Sequence, residues 1–150
     1  MINLEYKYGY AWYQKNDISV KGYIFDENGI YYKNEKLLEY FSGISSYADL
    51  KIKLQSANGL FSVIIKTNNN YLISVDKLRT FPLFYYKAND RLIISDNTFW
   101  IKKQYGLSIS EESQQEFKAA GYTTGNSTLI KDVFQVEASE VIIFDHNGNI

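Results

Sequence analysis

The stretch GLFSVIIKTNNNYLISV, residues 59–75, decides the fold class of this chain. Its two apolar runs have the length of strands, and the Asn-rich segment between them is typical of a tight turn. A second stretch of the same kind, LFYYKANDRLIIS at residues 83–95, turns at Ala88–Asp90. Two consecutive hairpins of short strands predict an antiparallel sheet.

Working outward, the residues before this centre also predict strands. The run Ile18–Ile24 alternates with a period of two, and Asp26–Gly29 predicts the turn that returns the chain into Ile30–Tyr32. An earlier aromatic stripe alternates in the same way, and we expect a half-buried strand face rather than a stacking platform for bases or sugars. The stripe consists of Tyr6, Tyr8, Tyr10 and Trp12.

Helices are predicted on both sides of the two hairpins, each with a capping residue. The expected caps are Asn34 for a first helix that Gly43 ends, Ser45 or Ser46 for a second, Asp96 or Asn97 for a third that Gly106 ends, and Ser110 for a fourth over 111–120 that Gly121 ends. Asp96 is the simplest cap of the third helix, and a catalytic carboxylate at that position is the alternative.

After the fourth helix, strands are predicted near Val133–Phe134 and over Glu140–Phe144. The segment His146–Gly148 is typical of a hairpin turn, with His146 as a solvated turn residue. Since a hairpin needs a second strand, we expect the natural chain to continue beyond Ile150 or the end to fray.

Composition excludes several function classes. The chain has 150 residues, which suits a single domain over 1–150, and its 16 basic and 17 acidic side chains argue against a nucleic-acid binder. The absence of cysteine excludes disulfides, thiolate metal sites and a cysteine nucleophile. No apolar run has the length of a membrane span and no signal peptide opens the chain, so we expect a cytoplasmic protein.

Two clusters are candidate sites. Asp76 and Arg79 lie three residues apart between the hairpins, where they form a loop-shaping ion pair or hold a ligand carboxylate or phosphate. Lys21, Gly22 and Tyr23 lie inside a predicted strand, and a glycine there marks close approach of a ligand or another backbone, or packing beneath an aromatic ring.

Three blocks of this sequence, taken together, resemble the N-terminal glutaminase domain of asparagine synthetase and its relatives. They are Asn58–Ile64, Asp76–Tyr85 and Ile94–Asp96. The family has Asn/Gln-Gly-x-Phe-Ala-Phe, Asp-Arg-x-Gly-x-x-Pro-Leu-Tyr-Tyr and Ala-Ser-Glu in the same order and at similar spacing. The tail, from Gly121 through Thr128 to Phe144, resembles the family's Gly-x-x-Thr-Leu approach to the end of that domain. The resemblance covers about residues 55–148.

The resemblance implies an α+β fold with antiparallel sheets packed with helices, in a trimmed version of the αββα sandwich of Ntn hydrolases. It also implies that the chain is a glutaminase-like domain in the N-terminal part of a longer synthetase-like protein. In the family, glutamine is hydrolysed by an N-terminal cysteine, and an Asn-Gly pair followed by Glu supplies the oxyanion hole.

The chain departs from the family at these functional positions. Ile2 stands where the nucleophile is expected and carries no reactive group. Lys21 and Tyr23 replace the Asn and Glu around Gly22, and Arg79 replaces the glycine of the Asp-Arg-x-Gly loop. The resemblance therefore implies a vestigial oxyanion and substrate pocket at Lys21, Gly22 and Tyr23, with no catalytic residues.

Several functions follow as expectations. The first is an inactive scaffold that contacts a following synthetase domain in cis or mediates a homodimer, as β-lactam synthetases and lasso-peptide cyclases carry glutaminase-like domains without a working cysteine. ATP and magnesium would bind only on that following domain. The alternative is a binding module in which Lys21, Tyr23, Asp76 and Arg79 recognise an acidic small molecule or a peptide; an enzyme of unfamiliar mechanism is the third reading.

Overall fold

The computed structural model of the chain describes residues 1–5, 9–89, 91–145 and 148–150. Within these ranges the fold is α+β, with ten strands in two largely antiparallel sheets and four helices. The elements, in chain order, are β1 Ile2–Asn3, β2 Trp12–Lys15, β3 Ile18–Phe25, β4 Tyr31–Lys33, α1 Glu35–Tyr40, α2 Tyr47–Gln55, β5 Asn58–Lys66, β6 Asn70–Val75, β7 Phe84–Ala88, β8 Arg91–Ser95, α3 Thr98–Tyr105, α4 Glu111–Ala120, β9 Val133–Gln135 and β10 Val141–Asp145.

The larger sheet has the strand order β10-β6-β5-β3-β2, with β4 also pairing to β3. The smaller sheet has the order β1-β8-β7-β9, and its β1–β8 pair is parallel. Both central hairpins are confirmed, but they belong to different sheets, so the expectation that all four strands form one sheet is wrong. The loop after Val75, built around the buried Asp76, separates the two hairpins. Strands β9 and β10 likewise divide between the smaller and the larger sheet.

Successive side chains of each strand point to opposite faces of its sheet, so three hydrophobic cores lie between four layers of helices and sheets. In β5, Ile64 packs between the two sheets, whereas Val63 and Ile65 pack on the opposite face, beneath α1 and α2. In β8, Ile93 faces a third core that includes Ile101 of α3. The layer order is therefore helix, larger sheet, smaller sheet, helix, as expected for an αββα arrangement.

The helix boundaries follow the predicted caps except before α3, described below, and at the end of α1, where Phe41 and not Gly43 is the C-cap. Ser46 forms a capping box with Asp49, and Ser110 accepts a hydrogen bond from the amide of Ser113. Asn34 precedes α1 as predicted, but its side chain makes no capping hydrogen bond. Its φ of 58° and ψ of −130° differ from the extended conformation in which an N-cap side chain reaches back to the helix amides.

Of the N-terminal aromatic stripe, the two described residues do not share a strand. Strand β2 begins only at Trp12, because Gly9 has a φ of +72° that interrupts an extended run, and Tyr10 lies in a bend. Tyr6 and Tyr8 lie outside the described residues, as do Asp90 of the second hairpin turn and His146. In the part of the chain that is described, no helix combines the length and apolarity that crossing a membrane requires.

Candidate functional site

A cavity of about 420 Å³ opens where the hairpin of β2 and β3 meets the junction between β8 and α3. Its lining combines aromatic rings with a few polar side chains, which is the usual composition of a small-molecule site. The lining residues are Trp12, Lys21, Thr80, Phe81, Pro82, Phe84, Asp96, Asn97, Thr98 and Phe99.

Lys21 is a buried cation that lines this cavity. It lies in the middle of β3 opposite Trp12, and because Val20 and Ile24 pack beneath the helices, Lys21 is on the sheet face turned away from them. The residue is only 3% exposed, and its Nζ lies 5.7 Å from the ring centre of Trp12 and 5.4 Å from that of Phe81. Burial lowers the pKa of the ammonium group below its usual range, and the negative charge of Asp96 partly opposes this shift.

Asp96 joins the two sheets at the wall of the cavity. Its Oδ2 accepts a hydrogen bond of 2.7 Å from the indole Nε1 of Trp12, and its Oδ1 accepts one of 2.8 Å from the amide of Glu5. The prediction that Asp96 caps α3 is therefore wrong, and Asn97, the other expected cap, is the N-cap. Asn97 has the extended backbone of a cap, and its Oδ1 accepts from the amide of Trp100 at 3.1 Å.

Because Asp96 and Asn97 have different roles, we expect substitutions at these two positions to lower the free energy of unfolding by different amounts. We expect Asn97→Ala to lower the free energy of unfolding by about 1 kcal/mol, as for other lost caps. Asp96→Ala is expected to cost about 2–4 kcal/mol, because it removes a buried acceptor from Trp12 and Glu5 and a negative charge near Lys21. Urea unfolding of both variants measures the two values, and a larger loss for Asn97→Ala contradicts the assignment.

The second predicted cluster is held together by backbone amides. The buried Asp76 carboxylate accepts hydrogen bonds from the amides of Phe61, Leu78 and Thr80 and from Thr80 Oγ1, at 2.8–3.2 Å. Arg79 contributes its amide, which donates to the main-chain oxygen of Asp76 at 3.0 Å. Within the described residues Asp76 shapes the loop as expected, but by these amides and not by an ion pair with Arg79.

The close approach predicted at Gly22 is to the protein itself. Gly22 has a φ of +104°, and a Cβ built on it would lie 2.0 Å from the main-chain oxygen of Leu60 and 2.8 Å from Cε2 of Phe81. Of the three alternatives, the neighbouring backbone and the aromatic ring therefore occupy this space, and a ligand does not.

The side chains expected to form one binding site lie apart. Lys21 lines the 420 Å³ cavity, whereas Tyr23 and Asp76 line a different cavity of about 400 Å³, and Arg79 lines neither of the two. The Asp76 carboxylate is already occupied by the loop amides. This arrangement does not favour a site in which all four residues recognise one acidic ligand.

The sequence interpretation missed most of the cavity wall. Phe81, Phe84 and Phe99 come from the loop before β7, from β7 itself and from the first turn of α3, and no spacing in the sequence relates them to Lys21. The sequence did single out Trp12, because this residue alternates with the other aromatic residues of the N-terminal stripe. For the other residues of the cavity wall, the sequence offered little more than the position of Phe81 and Pro82, which directly follow the loop around Asp76.

No three carboxylate or imidazole side chains of the described residues are grouped so that they could hold a metal ion. No family model matches the chain, and no curated protein and no solved structure matches it.

Proposed function

We propose that the chain is a catalytically inactive glutaminase-like domain of an asparagine-synthetase-like, ATP-dependent, amide-forming ligase. Its role in that protein is to serve as a scaffold for, and a contact to, a following synthetase domain that binds ATP and magnesium. The observation that carries the proposal is the burial of Lys21 beside Gly22, at the position where the resemblance places the Asn-Gly oxyanion donors.

The chemistry of this position argues against amide hydrolysis. An oxyanion hole needs fixed donors aimed at the developing charge. The Lys21 ammonium instead lies between the rings of Trp12 and Phe81, and the negative charge of Asp96 opposes the lowering of its pKa by burial. Position 2, where the family has its cysteine, is an isoleucine in β1 that pairs with Ile94 and offers no nucleophile.

Two features of the fold support the family assignment. The order of helix, sheet, sheet and helix agrees with the arrangement that the resemblance implies. Arg79, which replaces the glycine of the family's loop, has a left-handed backbone with a φ of 53°. A glycine is the residue that such a conformation favours, so the loop keeps a backbone suited to the family's residue.

A contact role is supported by an exposed aromatic face on β3 and β4. Phe25 and Tyr31 are 40% and 45% exposed, and their ring centres lie 4.9 Å apart, with Tyr23 at 5.8 Å from Tyr31. Contiguous exposed apolar surface of this kind marks interaction sites. The synthetase domain is the partner that the proposal places there, and a second copy of the chain is the alternative.

The proposal predicts that the purified chain releases no ammonia from glutamine. Glutamate formation is measured over time at several protein concentrations, with an active glutaminase domain assayed in parallel as the positive control. We expect a rate equal to the buffer blank. Glutamate production that is proportional to the chain and is lost in a folded Lys21→Ala variant would overturn the proposal.

A further inference from the structure

A further cavity, of about 280 Å³, is lined by α2 and by the adjoining ends of β5, β6 and β10. All the residues that line it belong to the described ranges. Its apolar side chains are those of Leu54, Ala57, Phe61, Val75 and Val141. Sites for drug-sized ligands usually have volumes of about 300–1,000 Å³, so a cavity of this size suits a smaller molecule with an apolar body.

Two lysines belong to the same cavity. Lys51 lies on α2, Lys77 lies in the loop after β6, and both residues are exposed and line the cavity. The Nζ of Lys51 also lies 6.0 Å from the ring centre of Tyr47, a further lining residue. Among the described residues that line the cavity there is no carboxylate, so the site combines apolar surface with positive charge.

The carboxylates closest to these lysines in the chain are bound by other groups. The Asp76 carboxylate accepts from amides of its own loop, and Asp49 belongs to the capping box of α2. Glu140, directly before β10, accepts a hydrogen bond of 2.7 Å from the amide of Glu137. None of these three carboxylates lines the cavity, so an anionic ligand would not be repelled by a lining side chain.

This charge balance distinguishes the 280 Å³ cavity from the 420 Å³ cavity. In the larger one, Lys21 lies beside two aromatic rings and the Asp96 carboxylate lines the same space, so an incoming anion would meet a negative charge. In the smaller one, the ammonium groups of Lys51 and Lys77 would both attract it. The 280 Å³ cavity is therefore the better site for an acidic ligand.

We propose that the 280 Å³ cavity is a binding site for a small apolar carboxylate, a molecule in which one ring or short chain carries a single carboxylate group. The apolar part contacts buried side chains such as Phe61 and Val75, and the carboxylate faces Lys51 and Lys77. Binding is reversible and forms no covalent bond. This proposal does not depend on the glutaminase-like assignment, because it uses only the cavity and its two lysines.

The test follows the amide chemical shifts of the isotope-labelled full chain by NMR during a titration with phenylacetate. We expect a dissociation constant of about 1 mM, as suits so small a ligand. The saturable shifts should centre on lining residues, namely Gln55, Gly59, Lys77 and Ser139. Phenylacetamide has the same shape without the charge and should bind at least about threefold more weakly. Acetate and inorganic phosphate, which lack the apolar body, should give no saturable shifts at these amides below about 10 mM.

Lysine variants locate the charge that the ligand meets. Lys51→Gln and Lys77→Gln should each weaken phenylacetate binding about threefold to fivefold, which corresponds to the loss of one ion pair. Lys66→Gln is the matched control, because Lys66 is an exposed lysine at the other end of β5 and its loss changes the net charge equally. This control variant should bind phenylacetate as tightly as the unmodified chain. Since all three lysines are exposed, we expect the variants to keep the fold.

Each alternative outcome contradicts one part of the proposal. Equal binding of phenylacetate and phenylacetamide would show that the lysines do not select an anion, and saturable binding of phosphate would show a site without need of an apolar body. Equal weakening by Lys66→Gln would show only an effect of net charge. Shifts that do not saturate, or that centre on residues away from the cavity, would show that the cavity is not the site. Any one of these results overturns the proposal.

Discussion

Gly22→Ala is expected to lower the free energy of unfolding by about 3–5 kcal/mol, since overpacking and a positive φ each destabilise. The added Cβ would lie 2.0 Å from the Leu60 main-chain oxygen, an atom fixed by the pairing of β3 with β5. The Phe81 ring, 2.8 Å from the same position, can move, but the backbone cannot. Chemical denaturation followed by tryptophan fluorescence measures the loss.

Alanine substitutions at two other glycines distinguish the two causes of this loss of stability. Gly29 also has a positive φ, of 76°, but a Cβ there meets nothing within 4 Å, so Gly29→Ala should cost about 1 kcal/mol. Gly59 has no positive φ, but its Cβ would lie 2.2 Å from the Tyr23 main-chain oxygen, so Gly59→Ala should cost about 2–3 kcal/mol. A Gly22→Ala loss no greater than that of Gly29→Ala contradicts the close packing of β3 on β5 at this point.

Asp76→Ala is expected to destabilise the chain by about 3–5 kcal/mol, the range for leaving buried partners of a charged group unsatisfied. The change removes the acceptor from three main-chain amides and from Thr80 Oγ1 at a position that is only 2% exposed. Asp76→Asn keeps one of the two oxygens and should cost about 1–3 kcal/mol. Urea unfolding curves rank the two variants.

Arg79 provides the control for Asp76. Since Arg79 contributes only its amide to the loop, Arg79→Ala should change the free energy of unfolding by about 0.5 kcal/mol or less beyond any effect of its positive φ. Arg79→Gly should be neutral or stabilising, because glycine adopts a φ of 53° without strain. If Arg79→Ala is as harmful as Asp76→Ala, the loop depends on an ion pair after all.

The sequence was informative where structure depends on neighbours along the chain. The two central hairpins, the capping box at Ser46 and the left-handed glycines Gly106 and Gly121 all follow from local patterns, and all are present. Local pattern failed at Asp96, a capping residue type whose side chain instead accepts from Trp12 and Glu5, and at Asn34 it gave the position of the N-cap but no capping hydrogen bond is formed. Propensity gives the residue type that suits a cap, and tertiary partners decide whether it is used.

The candidate site was less predictable because it is built from distant residues. The hydrogen bond from Trp12 to Asp96 spans 84 residues, and nothing in the spacing of either side chain indicates it. The parallel pairing of β1 with β8 brings Glu5 to Asp96 in the same way. Lys21 was named as a candidate from the glycine beside it in a predicted strand and from the family resemblance, whereas the aromatic walls required the fold.

Between β9 and β10 the chain passes from the smaller sheet to the larger one, and this has a consequence for how the chain unfolds. Strand β9 pairs with β7 in the smaller sheet, and β10, a few residues later, pairs with β6 in the larger one. Detaching this one segment would expose an edge of both sheets at once, so neither sheet is a separate unit of cooperativity. We expect the slowest-exchanging amides of β5 and β8 to open together, in a single global event, although they belong to different sheets.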